Sequence, residues 1–84
     1  MKGENMGQEL QMITKMENNV QWFNLHYTDI REKYENKFIA IKDNRIIAED
    51  ENIENLIKNI EKQGEDPGLV LIKFIPKKGT VLIL

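Results

Sequence analysis

The sequence predicts an α+β domain: a long N-terminal helix, then β-β-α-β-β, with four strands in one mixed or antiparallel sheet of order 2-1-3-4. Three observations carry this. Leu69–Ile75 is the most apolar run of the chain, bounded by Pro67 and Gly68 before it and Pro76 after it, and it has the length of a strand. Ile13, Met16, Val20, Phe23, Tyr27, Ile30 and Tyr34 recur at alternating spacings of three and four, which places them on one stripe of a helix. Finally, Lys37–Lys42 and Arg45–Glu49 are short apolar runs joined by Asp43 and Asn44, residues that accept positive φ and suit a two-residue hairpin.

Taken in order, residues 1–8 hold two glycines and little apolar content and read as a flexible tail, leaving 9–84 as a single α+β domain. A helix from Glu9 to Glu35 would be about 40 Å long at 1.5 Å per residue. That exceeds the width of a domain this size, so the helix either overhangs the body or breaks near Asn18 and Asn19; the unbroken stripe through Val20 favours continuity. Asn36 tolerates the left-handed conformation that ends a helix. Asn52 reads as an N-cap because Ile53, Leu56, Ile57 and Ile60 follow it at helical spacing. Glu54 and Lys62 suit the dipole of that second helix, and Gly64 ends it. After Leu69–Ile75, Lys77–Gly79 turns the chain into a last strand, Thr80–Leu84. A right-handed crossover from the second strand brings the third beside the first.

Composition excludes more than it assigns. At 84 residues with a net charge of -2 and interspersed signs, the chain has no block of positive charge of the kind nucleic-acid binding favours. With no cysteine and no serine, it has no disulfide, thiolate metal site, cysteine nucleophile or serine nucleophile. No apolar run approaches the ~20 residues that span a bilayer, and no signal peptide is apparent, so a cytoplasmic protein without a membrane contact is expected.

Among individual residues, His26 is the sole histidine and lacks the second ligand or base that a metal site or triad needs. Trp22 and Leu25 fall off the main stripe within one turn. They make either an aromatic anchor for a partner or the edge of the core. Trp22, Leu25 and His26 are therefore the candidate partner-binding residues, with no catalytic, metal or cofactor site expected. The acidic run Glu49–Glu51 lacks the alternation of a calcium loop and reads as a solvated turn. Lys37, Lys42, Arg45, Lys73, Lys77 and Lys78 could line a basic strand face, although Phe38 and Phe74 are the only strand aromatics available for stacking.

The segments Trp22-Phe23, His26-Tyr27, Lys33–Asp43 and Asp66–Pro76 resemble a family of small, mostly archaeal proteins that is a domain of unknown function. The resemblance runs from about Val20 to the C-terminus and implies a fold without implying a reaction. It has Gly where this chain has Asn36, a substitution compatible with the same left-handed turn. The function expected is a small non-enzymatic protein-interaction module, self-associating or bound to a protein partner. The alternative is a nucleic-acid-binding module using the lysine-bearing strands.

Overall fold

The computed structural model describes residues 2–77, with side chains from residue 13 onward. Helix α1 spans Lys2–Leu25 and α2 spans Tyr27–Lys33; β1 (Lys37–Lys42) and β2 (Arg45–Asp50) form a hairpin; α3 covers Ile53–Lys62; and a 3-10 turn, Pro67–Leu69, leads into β3, Leu71–Ile75. All pairings are antiparallel and the strand order is β2-β1-β3. The α+β class stands, but the four-stranded sheet of order 2-1-3-4 does not: among the described residues the sheet has three strands, with β1 between β2 and β3. Thr80–Leu84, the expected fourth strand, lies outside the described residues.

The single long helix over Glu9–Glu35 is also corrected. The helix begins at Lys2 and is interrupted at His26, whose ψ of 12° departs from helical geometry, rather than at Asn18 and Asn19. Hydrogen bonds from the His26 amide to the Trp22 carbonyl and from the Ile30 amide to the His26 carbonyl carry the chain through this elbow. Beyond it, α2 keeps Ile30 buried and Tyr34 packed on the core. A straight rod could not follow so short a sheet.

The two helical units divide between the faces of the sheet. Phe23 and Ile30 pack with Ile39, Ile41 and Ile75 on one face, while Leu56 and Ile60 of α3 pack with Ala40, Ala48 and Val70 on the other. Strand alternation explains the division, because successive residues of β1 point to opposite faces. The pairs Ala40↔Ala48 and Ile41↔Ile46 leave Ile47 as an extra residue, a β-bulge. It sends both Ile47 and Ala48 to the α3 side while Ile46 joins the other face. Gln63 holds the bulge in place by donating its side-chain amide to the Ile47 carbonyl at 2.8 Å.

Local backbone chemistry sets the turns as expected. Asn36 (φ 61°), Asp43 (φ 51°), Asn44 (φ 59°) and Gly64 (φ 81°) all occupy the left-handed region. The Asn52 side chain caps α3 by accepting from the amides of Glu54 and Asn55. Asn19, read from sequence as a possible helix break, has the opposite role: it is buried in mid-helix, and its side-chain oxygen accepts the Asn44 amide at 3.0 Å. That amide belongs to the second residue of the hairpin turn and points away from the strand ladder. Asn19 thereby fixes α1 to the tip of the hairpin.

Two outcomes follow for urea denaturation. Replacing Asn36 by Gly relieves the left-handed strain and raises stability by up to about 1 kcal/mol, whereas Asn36→Val lowers it by about 1–2 kcal/mol. Asn19→Ala removes the acceptor at the hairpin tip and costs about 1–2 kcal/mol, with faster hydrogen exchange at the Asn44 amide.

Candidate interaction surfaces

Helix α1 presents two unlike flanks. On the side of β2, Trp22 and the exposed His26 stand one turn apart with ring centroids 4.9 Å apart and planes tilted by 40°. They line a cleft of about 310 Å³ together with Asp29, Lys33, Arg45 and Ile46. Trp22 is half-buried and packs against the Phe23–Ile39 core, so the indole closes the edge of that core while leaving one side to the cleft. Leu25 is separate. It is 82% exposed and does not line the cleft. The structure thus brings two of the three expected site residues together and turns the third to solvent.

The cleft joins an aromatic pair to charged side chains of both signs. Asp29, Lys33 and Arg45 have no ion-pair partner among the described residues, and no serine or cysteine is available to act as a nucleophile. No group of acidic or histidine side chains among the described residues converges to hold a metal ion.

The strand lysines do not form the free basic face considered from sequence. Lys37 donates to Glu49 at 2.8 Å, and Lys42 is paired with Glu65. Lys73 stands 5.3 Å above the ring of Phe23. Hydrogen bonding to Glu49, with the charge of that carboxylate, holds the Lys37 ammonium above its ordinary 10.5. Because the folded value is raised, the contribution of this pair is complete below the ordinary value and fades as pH rises through the raised one. With both side chains open to solvent, it is a minor one.

The other flank of α1 faces β3 and is apolar. At 24 residues α1 is about 36 Å long, against about 20 Å for a six-residue strand, so its first half overruns the sheet. The stripe that buries Phe23 continues into residues that are exposed among the described ones: Ile13 is 57% exposed, and Val20, two turns away on the same side, is exposed as well. Ile13 and Met16 form a groove of about 380 Å³ with Gly68 and Leu69 of the 3-10 turn ahead of β3, and Lys15, Asn19 and Lys42 line the same groove. Sequence periodicity identified this stripe and its excess length over the domain, without saying which of its residues lie on the sheet.

No helix among the described residues is long and apolar enough to cross a membrane. Neither the curated proteins nor the solved structures contain a match. A family model described as a family of unknown function, DUF5678, matches residues 29–78. The matched segment runs from α2 through β3, so the resemblance noted from about Val20 narrows, and α1 with Trp22, Leu25 and His26 lies upstream of it. As the match covers more than half of the chain, this protein belongs to that family of unknown function.

Proposed function

We infer that this chain is a small, non-enzymatic protein-interaction module that meets its partner along the flank of α1 facing β3. One observation carries the reading: the apolar stripe of α1 is longer than the core it serves, leaving Ile13 exposed in a groove with Leu69 and Val20 exposed two turns further along the same stripe. Contiguous apolar side chains at a solvent-facing groove cost solubility and are covered when another chain packs on them. Self-association belongs to the same reading, since two copies meeting flank to flank would bury both stripes. The stacked Trp22 and His26 on the opposite flank are a second contact region, with Leu25 projecting beside it.

Site-specific photo-crosslinking tests this in cells. A benzophenone side chain at position 20 is expected to give adducts of discrete mass, whether with a second copy or with another protein, and Ile13→Glu is expected to abolish them. The same probe at position 58, on the exposed side of α3, should give none. Equal labelling from both positions, or no discrete adduct from position 20, would overturn the reading.

A further inference from the structure

Among the described residues β3 is hydrogen-bonded only to β1, so the outer row of its amides and carbonyls has no strand partner among them. Apolar side chains bracket that edge on both faces. On the α1 side, Ile13 and Met16 share a groove with the 51%-exposed Leu69, in the turn that leads into β3. On the α3 side, Phe74 is 46% exposed and meets Phe38 with ring centroids 4.9 Å apart and planes tilted by 56°, while α3 itself lies over β2 and β1. An extended segment laid along β3 would place alternate side chains against each of these groups.

Charge decides which segment. Lys73 occupies the middle of β3, half-exposed on the α1 face between Leu71 and Ile75, and has no ion-pair partner among the described residues. A second copy pairing its β3 antiparallel about the central residue would set Lys73 against its own counterpart, a like-charge cross-strand pair that destabilises the sheet. Shifting that register by two residues leaves too few of the five positions paired. An acidic residue facing Lys73 reverses the sign of the interaction. We propose that the outer edge of β3 receives an extended strand from a different protein, with Asp or Glu opposite Lys73 and apolar residues on either side of it. The partner is bound by main-chain hydrogen bonds and selected by that one charge.

This rests on the interaction reading and narrows it to a partner of defined chemistry. The test uses the full chain, isotopically labelled, titrated at low salt with the acetylated and amidated peptide Ser-Thr-Val-Ile-Glu-Ile-Val-Thr-Ser. Amide shifts confined to β3, its neighbours on β1 and the groove at Ile13 and Met16 are expected. A peptide with Lys in place of the central Glu should bind about tenfold more weakly. Lys73→Glu should reverse this preference and Lys73→Gln should abolish it, with both variants keeping the native circular dichroism. Methylating alternate peptide nitrogens on the strand-pairing side should eliminate binding.

Equal affinity for the two peptides, or binding that survives methylation, would overturn the proposal. So would slow exchange of every β3 amide in the free protein, which would place residues 78–84 or a second copy on the edge already; dependence on protein concentration separates those two. Discrete crosslinks from position 20 without peptide binding at β3 would leave the interaction module standing and remove this inference alone.

Discussion

The fold depends on β1 serving two cores at once. Ile39 and Ile41 are completely buried on the α1 side and Ala40 is completely buried on the α3 side, so no residue from 39 to 41 is in contact with water. A strand flanked on both edges and covered on both faces must satisfy its backbone through its neighbours and its side chains through two separate helical layers. Everything else is placed by that demand. The hairpin supplies one neighbour, β3 returns to supply the other, and α3 between them lies across the face that α1 and α2 leave open. In a chain of 84 residues this is economical, since neither helical layer forms a core without the shared strand.

Local chemistry was legible in the sequence, and the reach of each element was not. Asn36, Asp43, Asn44, Asn52 and Gly64 each sit where their conformational preferences place them, because a left-handed turn or a helix cap is decided within a few residues. The elbow at His26 carries no comparable signature. It contains neither Pro nor Gly, and the stripe of apolar residues runs through it without a change of spacing. At Asn19 the continuity favoured by the unbroken stripe holds, and a tertiary hydrogen bond to the hairpin tip outweighs a propensity difference of a few tenths of a kcal/mol.

The contact surfaces were hidden by the same limit. Periodicity assigns a residue to a face of its helix without saying how far the opposing sheet extends, so Ile13 and Val20 looked identical to Phe23 and Ile30. Trp22 and Leu25 were singled out for lying off the stripe; Trp22 shares with His26 a flank that faces β2, where Arg45 and Ile46 complete a cleft, while Leu25 is turned to solvent. The family segment begins after that flank. The two readings therefore attach to different parts of the chain: the edge of β3 lies within the segment shared with the family, whereas the flanks of α1 lie upstream of it.

The contact between Ala40 and Ala48 has a consequence for how members of this family can vary. These are the only two alanines in the chain, and they face one another across β1 and β2 beneath α3. The centre of the floor on which that helix rests is thus two methyl groups, rimmed by Val70, Phe38, Ile47 and Ile72, and Leu56 and Ile60 reach it from above. Volume on the two sides of this seam is held in common. A relative with Val or Ile in the floor would need a smaller residue in the helix, so these four positions should drift together while their neighbours on the exposed side of α3 vary freely.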